Sequence, residues 1–204
     1  ISRLSKSDEK TSKALTFITP DTQRTFAGFL GASIQMIDED ILEEDIKESK
    51  IVHIEGYQLQ GDCINASMHA LSLAKKHGVP ISIDLNDAAY IRNNPDAIKN
   101  ILKESVDIVF ANEEEAEALT GEADPKKSAE LLSELTSLAI VKNGSLGSFI
   151  SDGKVTINIP AYRADAIDST GAGDMYAAGF LYGITHGNSF YDSGLLGSYA
   201  AARI

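Results

Sequence analysis

A carboxylate placed directly after a run of small residues is the strongest chemical signal in this chain. Asp168-Ser169-Thr170-Gly171-Ala172-Gly173-Asp174 leads straight into the helical pattern Met175–Thr185. Small residues entering a helix allow the N–H groups of Gly171, Ala172 and Gly173 to face one point in space. That point also sees the positive end of the helix dipole, so it is suited to an anion. Asp174, in the first turn, sets a carboxylate beside it. Backbone donors that stabilise phosphoryl charge, next to an acid that can accept a proton, fit phosphoryl transfer to a hydroxyl. A glycine-rich loop whose aspartate serves only as a helix cap would show the same bare G-x-G-D spacing.

A second acidic group lies where the apolar run Val106–Ala111 gives way to Asn112-Glu113-Glu114-Glu115. Ligands of open α/β sheets gather at the carboxyl ends of strands. Asn112 and Glu115, three apart at a helix start, could share one side and hold hydrated Mg²⁺, a metal that keeps its waters and takes few protein ligands. Glutamate in a first helical turn is also favoured by the dipole alone. The stretch Lys142-Asn143-Gly144-Ser145-Leu146-Gly147-Ser148 has glycines that permit a tight loop, but it is not a Walker A motif, lacking Gly-Lys-Ser/Thr and a strand-to-helix setting. Glu55-Gly56-Tyr57-Gln58 and Asp84-Leu85-Asn86-Asp87 follow further apolar runs and could line an acceptor or phosphate site. The histidines at 53, 69, 77 and 186 have no metal-ligand spacing and no pattern of carboxylate partners to orient them, which leaves little support for zinc or for a Ser-His-Asp triad. Cys63, alone and inside an amphipathic pattern, reads as packing and fits a reducing compartment.

The elements that must position these residues follow from the apolar periodicity. Ala14–Thr19 and Arg24–Gly31 read as a hairpin across Pro20-Asp21-Thr22-Gln23. Glu39–Ser49 reads as a short acidic helix. Strands are then expected at Ile51–Glu55, Ile81–Leu85, Val106–Ala111 and Leu138–Lys142. Helices are expected at Asp62–His77, Asn94–Glu104, Glu113–Thr120 and Lys126–Glu134. Phe149–Ser151 and Val155–Ile159 flank Asp152-Gly153 as a second hairpin, and helices Gly173–Thr185 and Phe190–Arg203 close the chain. The central strands are continuous apolar runs, as expected for a parallel sheet covered by helices on both faces.

The 204 residues suffice for one α/β domain with a substantial core, and 43% hydrophobic with 24% charged residues is ordinary for a globular protein. A net charge of −12 argues against nucleic acid or an anionic membrane as partner. No signal peptide or membrane-length apolar stretch is visible, which leads to an expected cytoplasmic location. A Rossmann dehydrogenase is disfavoured, since its glycine fingerprint should follow the first strand and this one comes late.

The segment Asp168–Phe180 resembles the second signature of the PfkB (ribokinase-like) carbohydrate and nucleoside kinases, and Asn112–Glu115 resembles that family's Asn-x-x-Glu motif. Lys142–Gly147 is similar to its nucleotide-contacting Thr-x-Gly-x-x-Gly loop, with Lys142 where threonine is more usual, a departure that bears on the side-chain contact and not on the backbone role. Gln23–Ser33 resembles a segment of the adenosine-kinase-like branch whose arginine, here Arg24, reaches the transferring phosphate.

The resemblance implies a three-layer α/β/α fold with a mostly parallel sheet, a lid-like hairpin at 14–31 and an α/β core at 50–204, all one kinase domain over 1–204. It implies ATP and Mg²⁺ as cofactors and a primary hydroxyl of a sugar or nucleoside as acceptor. Asp174 would be the base and Gly171, Ala172 and Gly173 the anion hole. Asn112 and Glu115 would organise Mg²⁺ through water, and Thr170, Asn143, Gly144 and Gly147 would meet the nucleotide. The same resemblance implies that the chain corresponds to an internal portion of a longer kinase, with a homodimer through the hairpin open to it. The rival expectation is a catalytically incomplete nucleotide-binding or assembly module derived from such a kinase.

Overall fold

The computed structural model describes residues 8–18, 24–164 and 169–204. The chain enters through a two-stranded antiparallel hairpin, β1 (Lys13–Ile18) and β2 (Arg24–Phe29), whose expected turn at 19–23 lies outside the described residues. A six-stranded sheet follows, in spatial order β3 (Val52–Glu55), β4 (Ile81–Asp84), β5 (Ile108–Asn112), β6 (Leu138–Lys142), β7 (Ser148–Ser151) and β8 (Thr156–Ile159). The first four run parallel, and β7 and β8 continue the same sheet antiparallel. The second hairpin of the sequence reading is thus an extension of the main sheet. Its turn is held by the Asp152 carboxylate, which accepts from Lys154 N–H (3.0 Å) and Val155 N–H (2.8 Å).

Strand alternation divides the core between the two faces of the sheet. Val109 and Ala111 of β5 and Ala139 and Val141 of β6 pack under a layer of helices: α2 (Ile64–His77), α3 (Ala88–Asn93), α4 (Pro95–Ser105), α5 (Glu113–Thr120) and α6 (Pro125–Leu132). Ile108, Phe110, Leu138 and Ile140 face the other way, against α7 (Ala172–Thr185), beside which α8 (Phe190–Ala201) packs on β7 and β8. Strands buried on both faces need apolar residues at every position, which explains the unbroken runs in the sequence.

Two expectations change in detail. The acidic helix expected over Glu39–Ser49 is a 3₁₀ turn at Asp38–Asp40, then an extended Ile41-Leu42 step, then α1 (Glu43–Glu48). Carboxylates at positions 39, 40, 43, 44 and 45 repel along one continuous helix. The break lets Asp40 accept from Ile37 N–H (3.1 Å) and Glu43 reach Lys76 and His77 (2.6 Å each). Helix α3 was not expected. It is six residues long, starts at Asp87, whose Oδ1 accepts from Tyr90 N–H (2.9 Å), and stops at Asn94. There Pro95 disfavours helical backbone in the preceding residue and opens α4 instead.

Helix α7 is held closely in place. Tyr176 in its first turns shares a 2.6 Å hydrogen bond with Ser148 of β7, and burial pushes the phenol up to about 12. Phe180 packs edge-to-face on Phe110, with ring centroids 5.6 Å apart. Glycines 179, 183 and 197 let α7 and α8 approach until any Cβ at these positions would meet the partner helix at 2.6–2.8 Å. The N-terminus of α7 is therefore delivered to a fixed place above the sheet.

Candidate active site

Register and alternation bring four polar residues to the carboxyl edge of the parallel strands, on the face that α7 covers. Glu55 pairs in register with Asp84, Asp84 with Phe110, and Asn112 with Lys142. At the same edge, Gly56 packs so closely that a Cβ would lie 2.0 Å from the Leu85 carbonyl, and its N–H donates to Asn86 Oδ1 (2.9 Å). Asn86 itself adopts φ +57°, a left-handed geometry that asparagine tolerates.

The α7 N-terminus begins at Gly171 with φ +83° and ψ −2°, the dihedrals of the third residue of a type II turn. The turn bond runs from Ala172 N–H to the Ser169 carbonyl (3.1 Å). This corrects the expectation that three amides converge on an anion, because the turn consumes the one from Ala172. Among the described residues the Gly171 and Gly173 N–H groups have no hydrogen-bond acceptor, and no side chain caps the helix. Asp174 is exposed in the first turn and has no hydrogen bond or ion pair among the described residues. Its charge joins those of Asp87, Glu115 and Glu55 in raising the Tyr57 phenol, after burial as the largest cause. Tyr57 thus feels the charge of all four carboxylates. Thr170 sits in the turn itself, while Asp168 lies outside the described residues.

The Asn112–Glu115 motif is closed on itself. Glu115 N–H donates to Asn112 Oδ1 (2.8 Å), Asn112 N–H to Glu115 Oε2 (2.9 Å), and Asn112 Nδ2 to Glu115 Oε1 (2.7 Å). This is a reciprocal capping box. Burial pushes the Glu115 carboxyl up to about 7, opposed by the Asn112 backbone bond and reinforced by Asp84. Each carboxylate oxygen already accepts one hydrogen bond within the box. Among the described residues no group of three or more His, Cys, Asp or Glu is arranged to hold a metal ion.

The Asn143–Gly147 loop is a tight turn: Asn143 N–H donates to Gly147 O (2.8 Å) and Leu146 N–H to Asn143 O (3.0 Å). Gly147 has φ +100°, and a Cβ there would lie 2.0 Å from the Ile159 carbonyl, so glycine is required twice over. Arg24 opens β2, but its side chain lies outside the described set.

Two contacts were not legible in the sequence. The Lys142 ammonium pairs with the Asp84 carboxylate, and the side chains are only 14% and 2% exposed. Burial pushes the Asp84 carboxyl up while Lys142 pulls it down. His53, for which no partner pattern was expected, bridges Ser82 Oγ (2.8 Å) and Glu55 Oε1 (3.2 Å). That bond is the main cause that holds the Glu55 carboxyl below its ordinary range. Ser82 is fully buried, which rules out a nucleophilic role for this chain of contacts.

A sequence profile described as pfkB family carbohydrate kinase matches residues 1–204. This chain belongs to the pfkB family. Among curated relatives, the pfkB chain is 30% identical over its whole length to 5-dehydro-2-deoxygluconokinase of Clostridium perfringens, covering 64% of that protein. It is 31% identical over 71% of its length to guanosine-inosine kinase of Escherichia coli, covering 34% of it. The crystal structure of adenosine kinase from Sinorhizobium meliloti superposes with a TM-score of 0.88 at 33% identity, over 94% of this chain and 59% of that one. The ribokinase-like α/β fold expected from the motifs is therefore the fold of this pfkB chain, and its relatives are named as sugar and nucleoside kinases. It spans less than two thirds of each of the three proteins.

Proposed function

We propose that this protein is an ATP- and Mg²⁺-dependent phosphotransferase acting on a primary hydroxyl of a sugar or a nucleoside. The observation that carries the reading is the α7 N-terminus, where, among the described residues, two glycine amides have no acceptor, no side chain caps the helix, and the first-turn carboxylate is unpaired. The Gly171 and Gly173 N–H groups receive the phosphoryl oxygens and stabilise the charge that grows during transfer. Asp174 accepts the proton of the attacking hydroxyl. The nearby Tyr57 and Glu55 face the acceptor side, and the Asn143–Gly147 loop bounds the nucleotide. Asn112 and Glu115 would hold Mg²⁺ through water, and the metal, when bound, neutralises phosphate charge. Thr170 and Arg24 join the site as nucleotide- and phosphate-contacting residues.

Relatives named for a deoxygluconate derivative, guanosine and inosine, and adenosine support both acceptor classes. The hairpin exposes Leu15, Phe17 and Phe29, which suits pairing with a second copy. Among the described residues no helix is long and apolar enough to cross a membrane.

The test is a coupled ADP-release assay over ribose, fructose, ketodeoxy sugars, adenosine and inosine. Acceptor-stimulated ADP that disappears in Asp174→Asn is the expected result. Saturable ATP binding without ADP from any acceptor would instead identify a non-catalytic nucleotide-binding module.

A further inference from the structure

Gly173 is a glycine that the helix backbone does not require. Its φ lies outside the left-handed region, and it sits within the regular first turn of α7. What stands against it is a cation: a Cβ at 173 would lie 3.1 Å from Lys142 Nζ and 3.9 Å from Lys142 Cε. The ammonium therefore rests against the first turn of α7, beside the acceptor-free amides. A positive charge at the positive end of a helix dipole is electrostatically unfavourable by itself and becomes favourable when an anion lies between them.

The ion pair that holds Lys142 is also incomplete. Asp84 and Lys142 come from β4 and β6, and their side chains meet across the intervening β5. Asp84 Oδ2 takes the ammonium, while Asp84 Oδ1 is buried with no hydrogen-bond partner among the described residues. A pair serving only stability would satisfy both oxygens, because an orphaned buried acceptor is costly. Glu55 and Glu115 also feel the Lys142 charge, which pulls both carboxyls down.

We propose that Lys142 is a phosphate-binding residue of this site: its ammonium, aimed by Asp84, is shared with an oxygen of a nucleoside triphosphate seated on the Gly171 and Gly173 amides. Gly173 is glycine because the ammonium must pass close to the helix to reach that oxygen. The proposal rests on the kinase reading for the identity of the anion.

The test is calorimetric titration of ATP, inorganic tripolyphosphate and adenosine into the wild type, Lys142→Met, and the double variant Asp84→Asn with Lys142→Met. The double variant removes both charges together, so it keeps the fold testable where the single variant strands a buried carboxylate. The expected result is a loss of at least about tenfold in ATP and tripolyphosphate affinity in the double variant, with adenosine affinity and the urea midpoint unchanged. Lys142→Arg, which keeps the charge, restores part of the loss. Wild-type ATP and tripolyphosphate affinities in the double variant would overturn the proposal. ATP binding without acceptor-stimulated turnover would overturn the kinase reading alone, and no ATP binding by the wild type would overturn both.

Discussion

Helices α5 and α7 both begin near the carboxyl edge of the sheet, yet their first turns are finished in opposite ways. At α5, Asn112 caps the helix and Glu115 reaches back to the Asn112 N–H, so the donors and the carboxylate satisfy one another. At α7, Gly171 has no side chain with which to cap, the turn uses the Ala172 N–H, and the amides on either side stay open among the described residues. Acid placement follows the same division. Glu115 is buried among its own partners, whereas Asp174 is exposed and unpaired among the described residues. A closed N-terminus stabilises its own helix, while an open one keeps its dipole for a ligand. Under the proposed function, the difference separates a supporting element from a reacting one.

The largest effect that could break this comparison is on turnover. Asp174→Asn should lower kcat on the order of 10²–10⁴-fold with the urea midpoint unchanged. Near-normal turnover in that variant would remove the base from the reacting element.

The next effect belongs to the closed helix and reads out in stability. Glu115 titrates at about 7 in the folded protein against 4.5 as its ordinary value. A raised folded value means that the protonated carboxyl favours folding. That contribution is complete below about pH 4.5 and is lost as pH rises through about 7, by up to roughly 3 kcal/mol. Urea unfolding in metal-free buffer should show this decline in the wild type, and Glu115→Gln should flatten it. An unchanged slope would mean that Glu115 is solvated and its box open.

Smaller still, Asn112→Ala should destabilise by about 1–2 kcal/mol through loss of the cap. At α8, Ser189 accepts from Asp192 N–H (3.1 Å) in a simpler cap without a buried acid, and Ser189→Ala should cost about 1 kcal/mol. Both are read from urea midpoints. Equal losses at the two sites would show that the Asn112 box adds nothing beyond an ordinary cap.

Much of this contrast was written in local sequence. Apolar runs identify the central strands because a doubly covered sheet leaves no polar alternation, and Asn112 with Glu115 three residues on is a capping signature before it is a metal site. Helix α3 escaped notice because six residues give little periodicity and Pro95 blurs its end. The Ala172 amide was miscounted because a type II turn and an anion hole ask for the same glycine. The Lys142–Asp84 contact was beyond reach of any local pattern: 58 residues separate the partners, and only the strand order β4-β5-β6 brings them together. Local chemistry announces caps and turns, whereas pairs made by sheet topology emerge only when the strands are placed.

The central claim, that the α7 N-terminus receives phosphate through its open amides, is tested most directly by amide NMR during an ATP titration. The account predicts saturable shifts of the Gly171 and Gly173 N–H resonances larger than that of Glu115 N–H, with Ala172 N–H protected from exchange before ATP is added. ATP binding that leaves Gly171 and Gly173 unmoved would contradict it.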